Sequence, residues 1–247
     1  MILENIAYAC LTKHCEEGRQ NKEIIYWIQN DLSEKRYTYR DFEIESNKIA
    51  KVLTNLGVFS NDVVGIFLPR SPILISSFFG ILKCQAMSCI LFSTLGEEAL
   101  LDRLGNSKAK FVITKNSLSR KILAIKDKLP NLKALLIVDV QDHKNEWVLS
   151  LPKLISEVDD VFDYPHKVDS ETPAFLQYTS GSTGKPKGAL HVHGAIQDIN
   201  KSFKEILGPD PDDLYWCTAD PAWITGLSYG IIAPLSTVTT SVQFGGT

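Results

Sequence analysis

Cysteine is sparse in this chain of 247 residues, and its spacing excludes the usual uses of a cysteine cluster. The five cysteines are Cys10, Cys15, Cys84, Cys89 and Cys217. Four residues separate the members of each of the two early pairs, so there is no C-x-x-C motif and no histidine-partnered zinc site. Scattered thiols of this kind fit a reduced, cytoplasmic protein better than a disulfide scaffold. An excess of one charge is also lacking: 26 Lys and Arg against 29 Asp and Glu leave a net charge of −3. That balance gives no general attraction to nucleic acid or to an anionic membrane, so any phosphate site has to be local. The most apolar window, residues 73–92, is broken by Lys83 and Gln85 and reads as a helix followed by a buried strand, not as a membrane span. The start, Met1-Ile-Leu-Glu-Asn, lacks the basic-then-apolar layout of a secretory signal. No G-x-G-x-x-G occurs, which argues against a dinucleotide site. No internal repeat is apparent, and no Cys or Ser sits in a recognisable nucleophile motif.

Apolar residues make up 44% of the chain and charged residues 22%, enough for a large core in one big domain or two small ones. Strand-like and helix-like segments alternate. Ile24–Ile28 and Arg36-Tyr37 read as strands joined by a polar turn. Thr38 opens a helix with Asp41 at the third position of a capping box, and Gly57 closes it. Phe42, Ile49, Val52, Leu53 and Leu56 give that helix its apolar stripe. Continuous apolar runs at Val63–Leu68, Ser88–Phe92, Lys110–Thr114 and Ala134–Val138 are separated by helical sequence. Buried runs of this kind predict an α/β fold with mostly parallel sheets flanked by helices. A more polar stretch over 141–172 carries the chain between an expected first subdomain, 1–172, and the start of a second, 173–247.

The densest chemical signal is Tyr178-Thr-Ser-Gly-Ser-Thr-Gly-Lys-Pro-Lys-Gly188. Glycines let backbone N–H groups turn toward an anion, hydroxyls add donors, and two lysines add charge, a set suited to polyphosphate. It is not a Walker A loop, because Pro186 stands where the second glycine of G-x-x-x-x-G-K-[ST] is required. The bland alternative is a flexible Gly/Ser connector. Apolar strand-like runs on both sides, Ala174–Tyr178 and Ala189–Val192, predict a hairpin-like flap, with a helix over about 193–206 beyond it.

This segment closely resembles the phosphate loop of the adenylate-forming superfamily, which includes acyl-CoA synthetases, firefly luciferases and peptide-synthetase adenylation domains. A second block, Asp213-Leu-Tyr-Trp-Cys-Thr-Ala-Asp-Pro-Ala-Trp-Ile-Thr-Gly-Leu-Ser-Tyr-Gly230, resembles the acetyl- and propionyl-CoA synthetase branch. Ala222 departs from it, since many relatives carry Gly there. The Leu91–Arg103 segment followed by Lys110–Thr114 is similar to the family's first α/β subdomain.

The resemblance implies a ligase that joins a carboxylate to AMP from ATP, releases pyrophosphate, and passes the acyl group to CoA, with Mg²⁺ as cofactor. It implies that Thr179, Ser180, Gly181, Ser182, Thr183, Gly184 and Lys185 hold ATP phosphates, and that Lys187 supplies catalytic charge there. A solvated loop charge is the alternative for either lysine. Trp223, Ile224 and Thr225 would border the acyl pocket and CoA channel, with a core role as the alternative for Trp223. Arg120 would meet the CoA nucleotide, or be a surface helix charge. His191 and His193 share a face if extended and could hold metal, but no third ligand is evident, so a structural role is expected. Asp220 is expected in a turn with no catalytic part.

The resemblance covers only the front of the family's pattern. The adenine and Mg²⁺ motif, the ribose-binding acid, the hinge and the mobile C-terminal domain would lie beyond residue 247. The chain is therefore expected to be the incomplete N-terminal large domain, truncated or half of a split enzyme with a separately encoded C-terminal half, and inactive alone. A non-catalytic nucleotide-binding module, and a ligase for medium-chain or aromatic acids, are the alternatives. Strands near Val238–Phe244 are expected to lack sheet neighbours and to expose apolar surface.

Overall fold

In a computed structural model, described over residues 1–143, 145–179, 185–210 and 212–245, the continuous apolar runs form the centre of a seven-stranded sheet. The strands are β1 (Ile2–Glu4), β2 (Glu23–Ile28), β3 (Glu34–Thr38), β4 (Val63–Phe67), β5 (Met87–Ile90), β6 (Phe111–Thr114) and β7 (Ala134–Ile137). They continue with β8 (Val148–Ser150), β9 (Lys167–Asp169), β10 (Pro173–Thr179), β11 (Lys187–Val192), β12 (Leu214–Trp216) and β13 (Thr240–Phe244). The large sheet has the order β11-β10-β5-β4-β6-β7-β8. Every neighbouring pair in it is parallel except the hairpin β10–β11. All residues of β4, β6 and β7 are buried, because helices cover both faces. Helices Tyr39–Asn55 and Pro72–Lys83 pack on one face, and Glu97–Ser107 and Asn116–Leu123 on the other.

The expected helix start is present. The Asp41 N–H donates to Thr38 Oγ1 at 3.3 Å and the Thr38 N–H to Asp41 Oδ2 at 2.7 Å, which satisfies two of the orphan donors of helix Tyr39–Asn55. The apolar window resolves into helix Pro72–Lys83 and strand β5, and no helix among the described residues is long and apolar enough to cross a membrane. Lys83, read in the sequence only as an interruption, is fully buried. Its Nζ lies 2.8 Å from Glu43 Oε2 and 2.6 Å from Asn47 Oδ1.

The expectation of an unpaired strand near Val238–Phe244 is overturned. A second sheet has the order β12-β13-β2-β3, and β13 pairs in parallel with β12 on one side and β2 on the other. Ser241, Val242 and Gln243 are buried between them. The partner comes from the opposite end of the chain, which local patterning cannot reveal. The exposed apolar residues fall instead on edge strand β12, at Leu214 and Trp216. Strands from both sides of residue 172 meet in each large sheet: β10 lies beside β5, and β13 beside β2. The polar stretch 141–172 also does more than connect, since β8 closes one edge of the large sheet and β9 pairs with β1.

Candidate functional site

Because β10 runs parallel to β5, its last residue, Thr179, emerges at the carboxyl end of the sheet, where open α/β folds bind ligands. The hairpin register sets Thr179 opposite Lys187 and Tyr178 opposite Gly188. Thr179, Lys185 and Lys187 are exposed, and neither lysine makes an ion pair with a described residue. Ser180, Gly181, Ser182, Thr183 and Gly184 lie outside the described residues. The root of the hairpin is fixed by Tyr178, whose hydroxyl donates to Asn106 Oδ1 at 2.7 Å and lies 3.1 Å from the Arg103 carbonyl oxygen. Burial, the largest influence on this phenol, pushes its pKa up to about 12, so it stays a neutral donor. Across the hairpin a Cβ on residue 188 would stand 3.3 Å from the Tyr178 ring, a tight contact that the ring would have to yield to by a few tenths of an ångström.

The second sequence block folds beside this root. Gln177 Nε2 donates to the Pro221 carbonyl at 3.3 Å, joining β10 to the turn that follows β12. In that turn Asp220 Oδ1 accepts the Ala222 N–H at 2.8 Å and the Asp220 carbonyl accepts the Trp223 N–H, also at 2.8 Å. Asp220 thus has the expected turn role. Trp223 precedes the short helix Ile224–Leu227 with extended backbone. Trp223 is 55% exposed and its ring meets Phe92 edge-on at 5.3 Å, so it is not a core aromatic. Ile224 and Thr225 are exposed and, with His191, Ile199, Ser202 and Tyr229, line a cavity of about 290 Å³. Arg120 is exposed on helix Asn116–Leu123, away from this cavity. With Gly96, Glu97 and Lys121 it lines a separate opening of about 520 Å³.

The two histidines part company. His191 stacks on Phe175 at 4.6 Å and faces the cavity, and burial lowers its pKa. His193 is fully buried, and its Nδ1 accepts the Ile6 N–H at 3.0 Å. Its Nε2 has no partner among the described residues. Among those residues no group of three or more His, Cys, Asp or Glu is placed to hold a metal ion.

Burial lowers the His193 pKa to about 4. The unfolded chain takes up this proton near pH 6.5, whereas the folded chain resists it until about pH 4. Stability is therefore full above about pH 6.5 and is lost progressively as pH falls toward 4, by about 2–3 kcal/mol from this group. His14, lowered to about 4 by burial and then by Arg19 and Lys13, adds a loss of the same sign. Urea midpoints measured from about pH 7.5 to about pH 3.5, a range that spans both values, should fall in the parent and fall less steeply in His193→Gln.

Residues that sequence reasoning missed include Arg70, whose Nη2 donates to the Thr218 carbonyl at 2.8 Å and ties the end of β4 to the second block. Phe92, Gln177 and the Asn106 partner of Tyr178 were also unmarked. Their only sequence signal is nearness to the ends of apolar runs.

The AMP-binding enzyme family matches residues 11–246, and the chain belongs to this family. An acetyl-coenzyme A synthetase of Bacillus subtilis is 38% identical over 243 residues, covering 98% of this chain and 42% of that protein. Another from Chlorobaculum tepidum is 34% identical, covering 98% of this chain and 39% of that protein. The chain thus spans about 40% of the length of the curated relatives it matches. Among solved structures, a Brucella canis acyl-CoA synthetase superposes with a TM-score of 0.89 at 23% identity, over 98% of this chain and 43% of that one. An anthranilate CoA ligase in complex with anthranoyl-AMP superposes with a TM-score of 0.88 at 24% identity, over 98% of this chain and 45% of that one. The expected α/β fold of adenylate-forming enzymes and the likeness to acetate–CoA ligases are borne out.

Proposed function

We propose that this chain carries the ATP-phosphate and acyl-binding part of an AMP-forming acetate or short-chain acyl-CoA ligase, acting in the cytoplasm where ATP and CoA are available. The observation that carries this reading is the Gln177–Pro221 hydrogen bond, which holds the root of the phosphate hairpin against the turn bearing Trp223, Ile224 and Thr225. ATP phosphates would thereby lie at one end of the acyl cavity. In the first step a carboxylate oxygen attacks the α-phosphorus, an acyl–phosphate bond forms, and pyrophosphate leaves with the bonding electron pair. In the second step the CoA thiol displaces AMP and gives up its proton. Such chemistry depends on positioning and on neutralising charge. Thr179, Ser180, Gly181, Ser182, Thr183 and Gly184 would offer donors to the phosphates, with Lys185 beside them, and Lys187 would neutralise charge as pyrophosphate departs. Trp223, Ile224 and Thr225 would wall the acyl and thiol channel, and Arg120 would receive the CoA nucleotide. Mg²⁺ would travel with the ATP phosphates, and no step here is assigned to it.

The mainly apolar cavity of about 290 Å³ favours a second reading, a ligase for medium-chain or aromatic acids. Acid-dependent ATP–pyrophosphate exchange with acetate, hexanoate and benzoate ranks the two. Running it with and without a polypeptide that carries the rest of the family's length tests whether a complement is needed. For the phosphate site, Lys187→Ala should weaken ATP binding measured by calorimetry about tenfold or more, the worth of a charge-assisted hydrogen bond. Unchanged ATP affinity in that variant would remove Lys187 from the site.

A further inference from the structure

Helix Tyr39–Asn55 turns Glu45 toward a cavity of about 330 Å³ whose walls include no residue of the β10–β11 hairpin. The other walls are Ile73 at the start of helix Pro72–Lys83, Val138 just past β7, and Leu151, Pro152 and Ile155 of helix Leu151–Ser156. Glu45 is the single titratable residue among these walls. A second opening, of about 350 Å³ and lined by Lys35, Arg36 and Asp41, also borders Glu45.

The carboxylate is incompletely used. Ser76 Oγ donates to its Oε2, a contact that by itself only ties the two helices together. An ionised carboxylate offers about four acceptor sites, so one donor leaves most of them free. Glu45 makes no ion pair among the described residues, in contrast to Glu43 on the same helix, which holds Lys83 at 2.8 Å. Lys35 and Asp41 act on it electrostatically in opposite senses, and burial dominates, holding its carboxyl above the usual carboxylate range. A half-buried acid beside an apolar cavity, short of a counter-ion, is stabilised by whatever brings one.

We propose that this cavity binds a small primary ammonium compound with an apolar body, with Glu45 as its counter-ion. The engagement of Oε2 by Ser76 favours a compact ammonium over a guanidinium, which would need both oxygens for a bidentate pair. The absence of a second acidic wall residue in the cavity favours one charge over a polyamine. This goes beyond the ligase reading and does not depend on it.

The test is calorimetric titration of the chain with phenethylamine and, as an uncharged control of the same shape, phenethyl alcohol. The parent should bind the amine at least about tenfold more tightly than the alcohol, the worth of a charge-assisted contact. Glu45→Gln should erase that preference, and Ile155→Trp, which fills the cavity from its wall, should abolish binding of both. Equal affinity for amine and alcohol in the parent overturns the proposal. So does an amine preference that survives in Glu45→Gln, or binding that survives in an Ile155→Trp protein melting like the parent. If Glu45→Gln does not fold, the parent comparison and the Ile155→Trp titration decide between the same outcomes.

Discussion

Lys83→Ala should lower folding stability by about 3–5 kcal/mol, because it leaves the Glu43 carboxylate inside the protein without its cation. Lys83 is buried between helices Tyr39–Asn55 and Pro72–Lys83, 2.8 Å from Glu43 Oε2. Burial lowers its pKa, and Glu43 opposes that shift. Glu43 in turn accepts from Thr12 Oγ1 at 3.0 Å, and Thr12 shares a 2.6 Å hydrogen bond with the Tyr164 hydroxyl. Asn47 accepts from Lys83 and donates through Nδ2 to the Asp160 carbonyl at 2.9 Å. One ammonium therefore joins the N-terminal segment, two helices and the 160–164 stretch. Removing both charges together is a different perturbation. Lys83→Met with Glu43→Leu should recover most of the loss, since a well-packed apolar pair is often as stable as a buried ion pair. Urea unfolding of the two single variants and the double variant measures this. A Lys83→Ala loss below about 1 kcal/mol, in the range of exposed ion pairs, would show that water reaches this pair.

The same residue marks where sequence reading stops. Parallel strands buried on both faces appear as continuous apolar runs, so β4, β6 and β7 were legible, as were the Thr38–Asp41 helix start and the β10–β11 hairpin. Each is a local signal. Lys83 stands in an apolar window with no local sign of Glu43, because its partner lies on another helix. The β13–β2 pairing joins opposite ends of the chain, and no periodicity within β13 shows that its neighbour exists. In the candidate site the 178–188 segment and the Trp223-Ile224-Thr225 run were legible as motifs. Their junction was not, because it rests on Gln177 reaching a backbone carbonyl, and a carbonyl has no side-chain signature. The exposure of Trp223 also ran against composition, since tryptophan is more often buried than not.

Gly226→Ala should be the most damaging small substitution in the candidate site. A Cβ at this position would stand 2.0 Å from the Asp220 carbonyl oxygen, 2.4 Å from its carbon and 2.7 Å from the Ala219 carbonyl oxygen. All three are backbone atoms, so no rotamer change relieves the clash, and the turn itself must open. Opening it strains the Asp220–Trp223 hydrogen bond of 2.8 Å and moves the start of helix Ile224–Leu227. Overpacking commonly costs about 1–3 kcal/mol, and contacts this short with rigid atoms put the expected loss near or above the upper figure. For a chain of this size about 3 kcal/mol lowers the melting temperature by roughly 6–12 °C. Ala222→Gly, four positions earlier in the same turn, removes a methyl and should cost under about 1 kcal/mol, largely through backbone entropy. The pair separates crowding at one position from fragility of the turn as a whole. Binding should divide as well. Tyr178 on Asn106, at 2.7 Å, anchors the β10–β11 hairpin beside the Gln177–Pro221 bond, so in Gly226→Ala the ATP affinity should fall less than the discrimination among acids that the displaced Ile224 and Thr225 would set. A Gly226→Ala protein that melts within about 2 °C of the parent, less than 1 kcal/mol at this size, would mean that the turn yields at little cost and does not set the position of the acyl wall.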